Sequence, residues 1–137
     1  MAHDPTLNEI SLNTWAMGAH YSDQTRAVAK FKRQLKSFTE TFEDLPRALR
    51  GDAALRESIE RAEDYLMDDQ GSVGWALDRA SKVMDAARAA VTRARDPMLR
   101  HSAPLARAAR AYGELIRCAT NVRAARDRAD AMRRLGA

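Results

Sequence analysis

The chain has 137 residues, of which 45% are hydrophobic and 31% are charged, so it can bury the core of one ordinary domain. Six glycines and four prolines are few for a sheet protein with many turns, and the single cysteine, Cys118, excludes an internal disulfide. Residues 1–71 hold 9 basic and 13 acidic side chains, whereas residues 72–137 hold 14 basic and 6 acidic ones. The net charge of +4 is therefore the sum of an acidic half and a basic half. Such an asymmetry is informative about binding partners rather than about the fold.

The N-terminal sequence lacks the basic start and the apolar run of a signal peptide, and no stretch is apolar enough to span a membrane. One cysteine also fits a reducing compartment. We therefore expect a single domain over residues 1–137 that is cytoplasmic and has no membrane association.

An apolar register along the first third of the chain predicts a long helix. Its positions step alternately by three and four residues, which places them on one side of a helix. They are Leu7, Ile10, Thr14, Met17, Tyr21, Gln24, Val28, Phe31, Leu35, Phe38, Phe42, Leu45 and Leu49. Asp4 and Pro5 are typical of a helix start, and Pro46 gives the first firm break. Ser22 and Asp23 can cap a second helix, but the unbroken register favours one that continues or kinks slightly.

The segment after Gly51 predicts a helix with an acidic outer face. It runs from about Asp52 to Met67, with apolar positions at Leu55, Ile59, Ala62 and Leu66. The opposite side carries Glu57, Glu60, Glu63 and Asp64. A metal site in a helical bundle needs inward carboxylates with a nearby histidine, so these outward acids indicate a solvated surface.

Two further helices account for the basic half of the chain. The first begins at the N-cap Ser72 and ends before Pro97, with apolar positions at Val73, Leu77, Ala80, Met84, Ala87, Val91 and Ala94. The second follows a capping Ser102 and an early Pro104 and runs to about Leu135. Its inward line is Ala108, Ala111, Leu115, Cys118, Val122, Ala125, Ala129 and Met132. The fold class is therefore all-α, an antiparallel bundle of four to five helices with a long N-terminal heptad-patterned helix.

Arginines flank the apolar line of the last helix. Arg107, Arg110 and Arg117 lie on one side, and Arg123 and Arg126 lie on the other. Arginine favours bidentate phosphate contacts, and a basic track without interleaved aromatics suits a nucleic-acid backbone better than base stacking. We expect these five residues to bind the backbone of RNA or single-stranded DNA. The alternative is that they pair with the acidic helix.

A catalytic alternative rests on Arg95, Asp96 and His101. These residues resemble the arginine, polar residue and histidine that HEPN ribonucleases carry near the start of their last helix. The resemblance implies that Arg95 polarises the scissile phosphate and that His101 acts as acid or base. Because Pro97 and Pro104 interrupt the helix that normally carries such a motif, an interhelical loop with a surface histidine is the preferred interpretation.

Neither a metal site nor a cofactor is expected. His3, His20 and His101 lack the spacing of metal ligands, and one cysteine cannot form a paired motif. Cys118 lies on the apolar line of the last helix, where it is interpreted as a small core residue.

In size, helicity and charge polarity, the whole chain resembles the small all-helical subunits of CRISPR effector complexes. The resemblance implies a non-enzymatic subunit that supports nucleic-acid strands within a larger complex. The charge polarity itself predicts that copies pack with the acidic helix of one against the basic helix of the next. It rests on no motif, so no functional residue is transferred. The remaining alternative is a protein-interaction adaptor or chaperone-like bundle that presents Phe31, Phe38 and Phe42 to its partner.

Overall fold

The computed structural model describes residues 22–66 and 72–136. These are 93% helical and include no β-strand, which confirms the predicted all-α class. The α-helices are α1 (Ser22–Glu40), α2 (Arg47–Arg50), α3 (Ala53–Leu66), α4 (Val73–Ala94) and α5 (Ala103–Gly136). Two 3-10 helices, Thr41–Asp44 and Pro97–His101, lie after α1 and between α4 and α5. The helix start at Asp4 and Pro5, the register from Leu7 to Tyr21, His3, His20 and Met67 lie outside the described residues, as does the side chain of Leu66.

The four longer helices form the predicted antiparallel bundle. Gln34 in the middle of α1 donates a hydrogen bond from Nε2 to the Ala111 carbonyl of α5 at 3.3 Å. Asp44, farther along the chain, pairs with Arg107, which lies earlier on α5. The two helices therefore run in opposite directions. The start of α3 lies beside the end of α4, where Asp52 pairs with Arg93, so these two helices are also antiparallel. The helix α4 packs against α5 as well, to which it is joined by a short connection, and the four helices surround one core.

The described part of the N-terminal register is buried, as predicted. Its members from α1 onward are Gln24, Val28, Phe31, Leu35, Phe38, Phe42, Leu45 and Leu49. The α-helix that carries the register ends earlier than predicted, at Glu40. The hydroxyl of Thr39 donates to the Lys36 carbonyl at 2.9 Å, and that of Thr41 donates to the Phe38 carbonyl at 2.6 Å. Because these side chains bond to the backbone of the last turn, they favour the end of a helix over its interior.

The helix α4 is buried on a broader face than its sequence predicts. Val73, Ala80, Met84 and Ala87 are buried as predicted, whereas Leu77, Val91 and Ala94 are only half-buried. Three further residues are fully enclosed, namely Ala76, Val83 and Ala90. The reason is that α4 packs against both α3 and α5, so two of its faces are covered instead of one.

The predicted helix caps have different outcomes. Ser72 caps α4, because its Oγ accepts a hydrogen bond from the Trp75 N–H at 3.2 Å. Ser102 does not cap α5 with its side chain, since its buried hydroxyl has no hydrogen-bond partner. Its backbone carbonyl accepts from the Ala106 N–H instead. At the other end of α5, Met132 was predicted to face inward but is exposed, because the buried line ends at Ala129.

One ion pair joins the start of α3 to the end of α4. Asp52 accepts from Arg93 through both carboxylate oxygens, with both nitrogen–oxygen distances at 2.8 Å. The same carboxylate caps α3 by accepting from the Leu55 N–H at 3.0 Å. The hydrogen bonds from Arg93 and Leu55 lower the pKa of Asp52 from 3.8 to about 2. Only 14% of the Asp52 side chain is exposed, so this pair is more constrained than an ordinary surface ion pair.

Phe38→Ala tests the buried register. Phe38 is fully enclosed and lies edge-on to Phe42 with ring centroids 5.3 Å apart. We expect the free energy of unfolding to fall by about 3–5 kcal/mol in a denaturant titration. Met132→Ala is the matched control, because that side chain is exposed. An unchanged melting temperature for Phe38→Ala would contradict the packing described here.

Asp52→Asn tests the pair between α3 and α4. Because the pKa of Asp52 is lower in the folded chain than when unfolded, its stabilisation is present above pH 4 and is lost as the pH falls towards 2. We expect the variant to melt below wild type at pH 7 and the difference to shrink between pH 4 and pH 2. Asp85→Asn is the control, since Asp85 forms only an exposed pair with Arg88. If the difference in melting temperature between Asp52→Asn and wild type did not change between pH 4 and pH 2, the negative charge of Asp52 would not contribute to stability.

Candidate nucleic-acid interface

The helix α5 is a long support with a narrow buried face. Its 34 residues span about 51 Å at 1.5 Å per residue. The buried positions are Ala108, Ala111, Leu115, Cys118, Ala119, Val122, Ala125 and Ala129, most of which are small. Small side chains allow the backbone of α1 to come close, and the remaining circumference of α5 is left for polar residues. That circumference carries eight arginines and three acidic residues, a net charge of +5.

Three of the predicted phosphate ligands form one exposed group on α5, which we call the arginine row: Arg107, Arg110 and Arg117. The side chain of Arg117 is 71% exposed and pairs with Glu114 at 2.9 Å. That of Arg107 is 45% exposed and lies 3.6 Å from the carboxylate of Asp44. Arg110 is exposed and makes no ion pair within the described part of the chain. All three guanidinium groups are therefore accessible to a ligand in solution.

The other two predicted ligands lie on the opposite flank of the buried line and differ from each other. Arg123 is exposed. Only 16% of the Arg126 side chain is exposed, and its Nε donates to Asp130 at 3.3 Å. The Nη1 atom of Arg126 is buried without a hydrogen-bond partner. Arg126 is consequently the least accessible of the five residues.

A cavity that the sequence did not predict lies between α4, α5 and the 3-10 helix that connects them. It has a volume of about 650 Å³ and is called the interhelical cavity below. Its apolar walls come from Met84, Ala87, Val91, Leu105, Ala106 and Ala109. Three arginines also line it, namely Arg88, Arg95 and Arg100. Arg88 belongs to α4 and Arg95 is its C-cap, seven residues later, a spacing that is visible in the sequence.

The three residues of the catalytic alternative have different local environments. Arg95 and Asp96 line the interhelical cavity, whereas His101 is exposed on the 3-10 helix and is not part of the lining. The carboxylate of Asp96 accepts from the Met98 N–H at 3.0 Å and thereby caps this 3-10 helix. Arg95 and His101 thus occupy two different elements, α4's C-terminal cap and the 3-10 helix.

The backbone of Arg95 has an uncommon conformation. Its φ of 55° and ψ of 28° are left-handed, and it is the C-cap of α4. Among the described residues, no other non-glycine residue has a positive φ. Glycine is the usual residue at such a position because a side chain there costs about 1–2 kcal/mol. An arginine is present where glycine would be more stable.

The acidic face of α3 is exposed, as predicted, at Glu57, Glu60, Glu63 and Asp64. Glu57 pairs with Arg61 of the same helix at 2.6 Å. The partners of Arg107, Arg117 and Arg126 are Asp44, Glu114 and Asp130, none of which belongs to α3. The predicted alternative, in which the arginines of α5 pair with the acidic helix, does not hold for these three.

The Cys118 thiol and the metal-ligating side chains are two further candidate groups among the residues that the structure describes. Cys118 is buried, and burial raises the pKa of its thiol, which suits the predicted core residue and not a nucleophile. Within residues 22–66 and 72–136, histidine, cysteine and carboxylate side chains form no group of three that could hold a metal ion. No helix in the same ranges combines the length and the apolar character needed to cross a lipid bilayer.

Comparisons with protein-family models, with curated proteins and with solved structures find no match to this chain.

Proposed function

We propose that this protein is a non-enzymatic basic helical subunit that binds the backbone of RNA or single-stranded DNA and packs with copies or partners in a nucleoprotein assembly. The observation that supports this proposal most directly is the arginine row on α5. Arginines presented from a long helix that is anchored along its buried face form a fixed array of phosphate ligands.

The spacing of the row suits a strand that lies along the helix. Arg107 and Arg117 are ten residues apart, or about 15 Å along the helix axis. A strand that lies along the helix can therefore place more than one of its phosphates beside the row. Aromatic side chains do not alternate with these arginines, and the contacts would therefore be insensitive to base sequence.

The acidic neighbours of the row do not prevent phosphate binding. The pairs Arg107–Asp44 and Arg117–Glu114 are both exposed, and exposed ion pairs contribute little net free energy. A guanidinium group also has five donors, so it can contact a phosphate while it remains close to a carboxylate. Binding further releases the counterions condensed on the nucleic acid, which favours the complex at low salt.

Assembly with other copies is the second part of the proposal. It is supported by the acidic face of α3 and the basic surface of α5, which are complementary in charge, and by the resemblance to small helical CRISPR subunits. The adaptor alternative loses its proposed contact surface, because Phe31, Phe38 and Phe42 are buried in the core of this chain.

Replacing Arg107, Arg110 and Arg117 together by glutamate tests the arginine row. Each lost phosphate contact should reduce the magnitude of the salt slope by about 0.7–0.9, and affinity should fall similarly for unrelated sequences. The measurement is a titration with fluorescent single-stranded RNA, single-stranded DNA and duplex oligonucleotides at several salt concentrations. A second variant with glutamine at the three positions separates lost contacts from added repulsion.

The matched control replaces Arg47, Arg50 and Arg56 by the same residues. These three arginines are also exposed, but they belong to α2 and α3. The control removes an equal amount of positive charge, so a loss of binding caused by net charge alone would appear in both triple variants. Equal losses, or unchanged affinity in the α5 variant, would contradict the proposed interface.

His101→Ala tests the catalytic alternative. His101 is exposed and lies outside the interhelical cavity. We therefore expect the variant to bind RNA with wild-type affinity and to leave a labelled RNA as intact as wild type does. The assay follows a labelled RNA by gel electrophoresis, with circular dichroism to verify the fold. Cleavage by wild type that disappears in the folded variant would replace our proposal with the HEPN-like ribonuclease.

A further inference from the structure

We propose that the interhelical cavity binds a nucleotide, with its base against the apolar walls and its phosphate on Arg95 and Arg100. Nucleotide binding at this cavity is independent of the arginine row. The ligand could be a free nucleotide or the end of a bound nucleic-acid strand, and only the second source rests on the function proposed above.

The size and lining of the cavity suit this ligand class. Its volume of about 650 Å³ lies within the range of small-molecule sites. Met84 and Ala87 of α4 are buried at one wall, and Ala106 and Ala109 of α5 leave space at the other. Small and apolar walls can enclose a flat base, whereas the arginines place positive charge at the same cavity.

Two of the arginines are available to an anion. Arg95 and Arg100 are exposed, and neither guanidinium makes an ion pair within the described part of the chain. Arg88 pairs with Asp85 at 3.0 Å and completes the positive lining. The carboxylate of Asp96 is the one acidic group among the lining residues, and it is already bonded to the Met98 N–H. The net charge of the lining is therefore positive.

The backbone at Arg95 gives independent support. A left-handed C-cap is most stable with glycine, yet this chain has arginine there, at the edge of the cavity. Strained residues of this kind are concentrated at functional sites, where the side chain is needed in spite of its cost.

The two arginines that are available to a phosphate lie close together in the sequence, at the connection between α4 and α5. This connection, from Arg95 to Ser102, contributes Asp96, Pro97 and Arg100 to the lining of the cavity. A terminal phosphate is therefore best placed at the side of the cavity that the connection lines.

The test uses the full chain and isothermal titration calorimetry with adenosine 5′-monophosphate, adenosine and inorganic phosphate as separate probes. We expect the monophosphate to bind more tightly than either of its parts. Arg95→Gly should weaken it about tenfold or more, because charge-assisted hydrogen bonds to the phosphate are lost. The same variant should melt at or above the wild-type temperature, which distinguishes lost contacts from unfolding.

Ala109→Leu tests the apolar wall by filling the cavity, and Ala89→Leu is its control. Ala89 is also exposed but belongs to α4 outside the lining. We expect only Ala109→Leu to weaken the monophosphate. Competition by an oligonucleotide with a 5′-phosphate, but not by one without it, would assign the ligand to a strand end. Competition by neither would assign it to a free nucleotide.

The failures of the two proposals are distinguishable. The glutamine variant of the arginine row should bind the monophosphate as wild type does, and Arg95→Gly should retain the salt-dependent binding of unphosphorylated oligonucleotides. If wild type does not bind the monophosphate, or binds inorganic phosphate equally well, the cavity proposal is overturned and the arginine row is unaffected. Binding of an acidic peptide at the cavity in place of the monophosphate would also overturn it.

Discussion

The close packing of α1 on α5 is the constraint on which the rest of the structure depends. Large side chains of α1, such as Phe31 and Phe38, are enclosed in the same core as small residues of α5, such as Ala108 and Ala111. Gln34 adds a hydrogen bond between the two helices. Because the small residues occupy a narrow face, most of the circumference of α5 remains on the surface while its buried line is held against α1.

This arrangement lets one helix both stabilise the core and carry the proposed interface. Alanine and arginine are both strong helix formers, so α5 needs only a narrow apolar face to hold its conformation over 34 residues. Arginine side chains can then occupy both flanks without disturbing the core. The positive charge of the second half of the chain is consequently presented as an ordered surface, which is the physical basis of the proposed nucleic-acid interface.

Much of the fold was predictable because burial follows helical spacing. Spacing predicts the buried positions from Val28 to Leu49 correctly, although the α-helix that carries the first of them ends at Glu40. Spacing alone does not reveal where side chains such as Thr39 will bond to the backbone and favour a helix end. Ser102 was misassigned for a related reason, since its sequence suits a cap but its hydroxyl is enclosed without a partner.

The candidate sites were less predictable, because they depend on distances between helices. Spacing places Arg126 beside the buried line but does not reveal that only 16% of its side chain is exposed. The interhelical cavity arises only when α4 and α5 are brought together, so the sequence shows its arginines without showing that they surround one space.

The ion pair between Asp52 and Arg93 has a consequence for the order in which the chain can fold and open. It closes a segment of 41 residues at the two ends of the hairpin formed by α3 and α4. A contiguous hairpin that is fastened at its open end is a natural cooperative unit for folding. By contrast, the whole intervening chain separates α1 from α5, so loop-closure entropy opposes their association most strongly. The helix that carries the proposed nucleic-acid interface thus belongs to the pair that is joined across the longest separation in sequence.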